Sequence, residues 1–141
     1  MEQFSVRSLI VFSIVCFTGP SFADELRITL VGVPKSEGTI HIGVLGSEAA
    51  YKEDEAPITT IAEKAQAGAM SFVVSLPSGT YGVQAMHDLN DNGELDTGFM
   101  GMPKEPWGFS NNAKGRFGPP KWKDLVFTLD GDHALTIDLN L

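Results

Sequence analysis

The chain has 141 residues, of which 43% are hydrophobic, so it can form one ordinary domain and is too short for a multidomain enzyme. Its 18 acidic residues outnumber its 10 basic ones and leave a net charge of −8. A field of this sign repels phosphate groups, which argues against nucleic acids and anionic lipid surfaces as partners.

Residues 1–23 are predicted to be a secretory signal peptide. Arg7 precedes a largely apolar run over residues 9–17, and the small residue Ala23 fits the pocket of a signal peptidase. The run is shorter than a bilayer span, which takes about 20 residues. We therefore expect cleavage after Ala23, export to the periplasm or out of the cell, and no membrane span in the mature chain. Cleavage also removes Cys16, the single cysteine, and with it any disulfide or thiolate chemistry.

The remaining residues, 24–141, form one predicted domain with the pattern of β-strands. In six places apolar side chains recur at every second position, which is typical of strands with one face buried. In chain order these positions are Leu26, Ile28 and Leu30; Ile40, Ile42 and Val44; Phe72, Val74 and Leu76; Tyr81, Val83 and Ala85; Leu125, Phe127 and Leu129; and Leu135, Ile137, Leu139 and Leu141. A weaker candidate, Ile58-Thr59-Thr60-Ile61, brings the number of predicted strands to about seven.

Turn residues separate these runs, notably at 77–79 and at Asp130-Gly131, which is a strong hairpin signal. Helical patterning is confined to a turn or two over 48–54, and so little helix argues against α/β folds. We predict an all-β domain, an antiparallel Greek-key β-sandwich of the immunoglobulin or transthyretin-like kind. Tyr81 follows a tight turn, where such sandwiches place a tyrosine corner.

The segment 89–123 has no clear alternation and is far longer than the usual connection of about 4–6 residues. Disordered segments contain few aromatic residues, whereas this one is rich in them. We predict one long ordered loop that folds over the sandwich, and loops of this kind often carry function. Its aromatic residues are Phe99, Trp107, Phe109, Phe117 and Trp122.

A calcium-binding turn is predicted at the start of this loop. Oxygen-bearing side chains recur at alternate positions and a glycine follows, as in the first half of a calcium loop. Phe99 occupies the position where an EF-hand places its bidentate glutamate, so the turn is not an EF-hand. The alternative is a turn that binds only its own backbone, since Asp, Asn and Gly also favour turns. The candidate ligands are Asp88, Asn90, Asn92, the carbonyl of Glu94, and Asp96.

A ligand-binding surface is predicted further along the same loop. Rigid aromatic rings can stack on a ligand, and amide and guanidinium groups can donate hydrogen bonds to it. The alternative is that the aromatic rings cover the open edge of the sandwich while the asparagines satisfy loop backbone. The candidates are Trp107, Phe109, Asn111, Asn112 and Arg116.

Catalytic arrangements are poor, and we predict that the protein is not an enzyme. Ser110 lacks the glycine spacing of a nucleophile elbow. His41, His87 and His133 fall on three different elements without a metal-ligand spacing, and we expect His41 and His133 to be solvated and His87 to end a strand. Carboxylate pairs for hydrolysis can be drawn among Asp88, Asp96 and Glu105, but any acidic chain permits this.

These motifs together resemble one known family, the small exported bacterial proteins of the domain of unknown function 2141. The similarity rests on the strand that ends in His87-Asp88, on DLNDNGELD at 88–96, on GMPKEPWGFSNNA at 101–113 and on RFGPP at 116–120. It implies export and one compact domain, and it implies no activity. The stretch 76–93 is also similar to transthyretin-like and carboxypeptidase-regulatory-like sandwiches, which supports the fold.

Three functions are consistent with the sequence. The first is a non-enzymatic exported module whose ion-stabilised turn supports a binding loop for a small ligand or an envelope protein. The second is a small hydrolase that acts on envelope sugars or peptides with loop carboxylates, which raised pKa values in a pocket would favour. The third is a purely structural module without ion binding.

Overall fold

Eight β-strands make up most of the structure. The computed structural model describes residues 23–140, so the predicted signal peptide lies outside the described residues except for Ala23, as does Leu141. The strands are β1 (Asp24–Val33), β2 (Thr39–Leu45), β3 (Thr59–Lys64), β4 (Gly68–Leu76), β5 (Gly79–Asp88), β6 (Trp107–Phe109), β7 (Phe127–Leu129) and β8 (His133–Asp138). Two short α-helices, α1 (Glu48–Tyr51) and α2 (Trp122–Leu125), and two 3-10 turns (Phe99–Gly101 and Ser110–Asn112) complete the elements.

The strands form two sheets, with the orders β4-β1-β8 and β3-β2-β5-β6, and β7 pairs with β5. The pairs β1–β4 and β2–β5 join strands that are not consecutive, because the chain crosses between the sheets as a Greek key does. The predicted all-β sandwich is therefore confirmed. None of the helices within residues 23–140 is long and apolar enough to cross a membrane.

One strand pair departs from the antiparallel prediction. β1 and β8 are parallel, with Ile28 opposite Leu135, whereas β1–β4 and the pairs of the larger sheet are antiparallel. The prediction of a hairpin at Asp130-Gly131 is also wrong, because β7 and β8 do not pair with each other. The turn there is tight, but it carries the chain from β7, which pairs with β5, across to β8 in the other sheet.

The core lies between the sheets and is formed mainly by the predicted apolar faces. Two predicted positions differ: Ile58 is 57% exposed, and Leu125 belongs to α2 rather than to a strand and packs in a separate apolar cluster. Alternation places every second side chain of β1, β2 and β5 inward. The tyrosine corner is present as well, since the Tyr81 hydroxyl donates a 2.8 Å hydrogen bond to the carbonyl of Pro77. The buried positions of these strands include Leu26, Ile28, Leu30, Ile40, Ile42, Val44, Tyr81, Val83 and Ala85.

The long loop is ordered, and it contains a strand and a helix that the sequence pattern did not predict. β6 has only three residues, too few for a visible alternation, and it adds to the edge of β5 with Trp107 opposite Met86. The buried Ser110 hydroxyl then accepts the N–H of Val83 at 2.9 Å and donates to the carbonyl of Leu125. The loop thus covers part of the outer face of the larger sheet, where Phe109 and Leu125 form a second apolar cluster.

Candidate functional site

A groove of about 610 Å³ lies on the outer face of the larger sheet. Because Ile40, Ile42 and Val44 point inward, the alternate positions His41 and Gly43 of β2 point out and form part of its floor. The other residues on this face come from β3, β5, β6 and two loops, and they include Thr60, Ala62, Gln84, Met86, Trp107, Phe109, Glu53, Glu94 and Leu95.

Two of the predicted ligand-binding residues form the aromatic side of this groove. The rings of Trp107 and Phe109 meet edge to face with centroids 5.3 Å apart, and Phe109 meets Tyr51 in the same way at 5.8 Å. The Trp107 backbone is held on both sides, by β5 and by two 2.9 Å hydrogen bonds exchanged with Asn140. Phe109 is buried and Trp107 is half-buried, so Trp107 offers a rigid, accessible ring to a ligand.

The other three predicted ligand-binding residues lie apart from the groove lining. Asn111 donates from its amide to the carbonyl of Val126 at 2.9 Å, and the Asn112 amide oxygen accepts the N–H of Asp138 at 2.8 Å. Arg116 lies over the exposed ring of Phe117, 5.6 Å from its centroid. The two asparagines therefore tie the loop to neighbouring backbone, and a ligand role for these three residues stays a prediction.

The 88–96 loop closes one end of the groove and is anchored by Asp88. This carboxylate is fully buried, accepts the backbone N–H groups of Asn92 at 3.2 Å and Gly93 at 2.7 Å, and lies 3.4 Å from Nε2 of His41. His41 is half-buried in the floor, with 33% of its side chain exposed. Asp88 thereby holds the loop with both its oxygens, and one of them, Oδ2, also contacts His41 of the sheet.

The predicted calcium ligands of this loop converge on one another. The amide nitrogens of Asn90 and Asn92 donate to the two oxygens of Asp96, at 2.5 and 3.0 Å. The amide oxygens of Asn90 and Asn92 accept the N–H groups of Asn92 and Glu94. Within residues 23–140, no three His, Cys, Asp or Glu side chains form a group that could hold a metal ion. Calcium binding by this loop stays a prediction. A bound cation would compete with these hydrogen bonds for the same oxygens.

If the loop binds calcium, excess calcium raises the midpoint of thermal unfolding relative to chelator. An ion present at about 100 times its dissociation constant adds about 2.7 kcal/mol to the free energy of unfolding, which is a shift of several degrees for a domain of this size. Asp96→Asn keeps the shape of the side chain but removes its charge, so this variant is expected to lose the shift. Melting curves that coincide in calcium and chelator would instead indicate a turn that binds only its own backbone.

Glu105 holds the loop closed, a role that sequence analysis missed. The residue is 3% exposed. Oε1 accepts the N–H of Leu89 at 2.8 Å and Oε2 accepts the N–H of Asp96 at 3.0 Å, so one carboxylate spans both ends of the loop. No sequence pattern marks this residue, because its partners lie 16 and 9 positions away in irregular chain.

A surface network ties the middle of the loop to β2 and β3. Lys64 donates from Nζ to Asp91 at 2.8 Å, and the hydroxyl of Thr39 donates to the other Asp91 oxygen at 2.6 Å. The hydrogen bond from Lys64, and then that from Thr39, lowers the pKa of Asp91 below its ordinary value. The network fixes the loop against the same two strands that form the groove floor.

The remaining histidines lie away from the groove. His87 is fully buried at the inward face of β5, next to the end of the strand, and its Nε2–H donates to the carbonyl of Glu37 at 2.6 Å. His133 stacks on the ring of Phe127 with centroids 5.1 Å apart.

The fold and the groove define a two-sheet β-sandwich with an aromatic-sided cleft on its outer face. The model of a family of uncharacterized proteins conserved in bacteria, DUF2141, matches residues 28–137. The chain therefore belongs to this family, which confirms the resemblance seen in the sequence. No curated protein and no solved structure matches the chain.

Proposed function

We propose that this protein is an exported, non-enzymatic binding module that holds a small ligand, or a short segment of an envelope partner, in the outer groove. The observation that carries this proposal is the groove itself, with the fixed ring of Trp107 beside it. Its volume of about 610 Å³ falls within the range of ligand sites. The groove lining combines apolar and aromatic side chains with polar ones such as Gln84 and Thr60, and polar groups among apolar ones are the usual means of orienting a ligand.

The state of the three carboxylates considered for hydrolysis, Asp88, Asp96 and Glu105, favours binding over catalysis by these residues. Both oxygens of Asp88 and of Glu105 accept backbone N–H groups, and both side chains are buried. Asp96 accepts the amides of two asparagines. A general acid or base needs a carboxyl group that can reach the substrate, so this arrangement supports a positioning role for the three residues.

Export is proposed from the sequence alone. The apolar run over 9–17 and the small residue Ala23 are typical of a cleaved signal peptide. The segment 24–141 contains no cysteine, which suits a domain stabilised by core burial rather than by disulfides. A thiol-free domain of this kind works equally well in an oxidising compartment.

The binding proposal is tested by filling the groove. Ala62 is exposed on β3 and lines the groove, so Ala62→Trp is expected to occupy it. Val73 is 47% exposed on β4 in the other sheet, so Val73→Trp is the matched control. The probes are a panel of blocked amino acids and short oligosaccharides, measured by saturation-transfer NMR and then calorimetry.

We expect at least one probe to bind the unmodified protein and Val73→Trp equally, and to bind Ala62→Trp about tenfold more weakly, a loss of about 1.4 kcal/mol. Circular dichroism checks that both variants fold. The proposal is wrong if no probe binds, or if every binding probe is indifferent to Ala62→Trp. Either result would favour the purely structural module.

A further inference from the structure

The ionisable side chains of the groove are acidic, apart from one histidine. Glu53, on the connection between α1 and β3, and Glu94, on the 88–96 loop, line it together with His41, and its lining includes neither lysine nor arginine. The buried Asp88 lies 3.4 Å from Nε2 of His41. A cleft with charge of one sign concentrates ligands of the opposite sign, and a net charge of −8 on the whole chain acts in the same direction.

These two carboxylates have no cationic partner within residues 23–140. The nearby lysines are engaged elsewhere, Lys52 with Glu48 at 2.8 Å and Lys64 with Asp91 at 2.8 Å. Neither Glu53 nor Glu94 forms a side-chain hydrogen bond or an ion pair in this part of the chain. They are therefore free to meet a charge that a ligand brings into the groove.

The other residues of the groove lining suit the rest of such a ligand. Met86 and Leu95 are half-buried and present apolar surface, and the Trp107 ring can receive a cation over its face. The half-buried Gln84 amide has no hydrogen-bond partner among the described side chains, so its oxygen can accept from an N–H donor. An alkyl stem that ends in a charged nitrogen matches this combination of apolar, aromatic and acidic groups.

We infer that the groove binds an organic cation, an ammonium or guanidinium group on an apolar stem. This inference rests on the proposed binding function. The same chemistry occurs in a free polyamine and in a lysine or arginine side chain of a polypeptide. An anionic ligand would have to approach two unpaired carboxylates and is disfavoured.

The experiment compares blocked lysine with blocked norleucine, its neutral counterpart of similar shape, by calorimetry on the mature chain. The lysine probe is expected to bind about tenfold more tightly, and its affinity is expected to fall as salt rises. Glu53→Gln and Glu94→Gln are each expected to weaken lysine binding about two- to fivefold and to leave norleucine unchanged. Glu63→Gln, an exposed carboxylate of β3 outside the groove lining, makes the same change in net charge and is expected to have no effect.

Spermidine is the third probe and distinguishes the sources. Carboxylate-dependent binding of spermidine alone supports a free polyamine, and equal or tighter binding of blocked lysine supports a polypeptide side chain. If norleucine binds as tightly as lysine and the two glutamate variants change nothing, the cation inference is wrong while the groove remains a binding site. If none of the three probes binds, the inference is also wrong, and the proposed function fails only if the wider panel shows no binding either.

Discussion

Glu105→Gln is expected to lower the free energy of unfolding by about 3 kcal/mol. The carboxylate is buried and accepts the N–H groups of Leu89 and Asp96. A glutamine amide can accept only one of these N–H groups and turns its own NH₂ toward the other. A hydrogen bond to a charged group contributes about 1.5–3 kcal/mol, and a buried N–H that loses its acceptor costs about 1–3 kcal/mol.

The measurement for Glu105→Gln is urea unfolding followed by circular dichroism, with Glu63→Gln as the matched control. Glu63 is exposed, so its substitution is expected to stay within about 0.5 kcal/mol. Glu105→Gln also tests the link between the loop and the groove, because the loop that Glu105 closes contributes Glu94 and Leu95 to the groove lining. Equal unfolding midpoints for the two variants would show that Glu105 does not hold the loop.

Gly38→Ala is expected to destabilise the fold by about 3 kcal/mol, more than a change in backbone preference alone. Gly38 has a φ of +74°, and a Cβ atom added there would lie 2.0 Å from the carbonyl oxygen of Asp88. The backbone of the turn before β2 would have to move away from the end of β5. Because Asp88 begins the 88–96 loop, the displacement would also disturb its carboxylate and the adjacent His41.

Gly68→Ala separates the two contributions to the effect at Gly38. Gly68 also has a positive φ, +103°, but an added Cβ would meet nothing within 4 Å. Its substitution therefore carries only the conformational cost, about 1–2 kcal/mol. Urea unfolding of both variants gives the difference. A cost for Gly38→Ala no greater than that for Gly68→Ala would mean that the turn and Asp88 are not packed as described.

Much of the sandwich could be predicted because its signals are local. A strand alternates its side chains with a period of two, so the inward positions Ile28, Ile42 and Val83 follow from neighbouring residues alone. The tyrosine corner is equally local, since Tyr81 and Pro77 are four residues apart. That the long loop is ordered rather than disordered could also be predicted, from its aromatic content.

The pairing of distant strands could not be predicted in the same way. β6 consists of three residues whose strand conformation depends on the edge of β5 and on Asn140, both far away in the chain. The parallel pairing of β1 with β8 depends on which sheet the chain enters after Gly131, and a turn signal is the same for a hairpin and for a crossing. Periodicity describes one strand and carries no information about its neighbour.

In the candidate site, too, the features set by local sequence could be predicted and those set by distant contacts could not. The 88–96 turn could be predicted from the sequence, because most of its internal hydrogen bonds join residues two to six positions apart. Trp107 and Phe109 could be predicted as candidates, because aromatic residues stand out in a loop. The groove exists only in the folded chain, since its floor, sides and ends come from β2, β3, β5, β6 and two loops. The closure of the turn by Glu105 and the contact between His41 and Asp88 are likewise decided by tertiary structure. Each joins residues that are far apart in the chain and that no repeating sequence pattern relates.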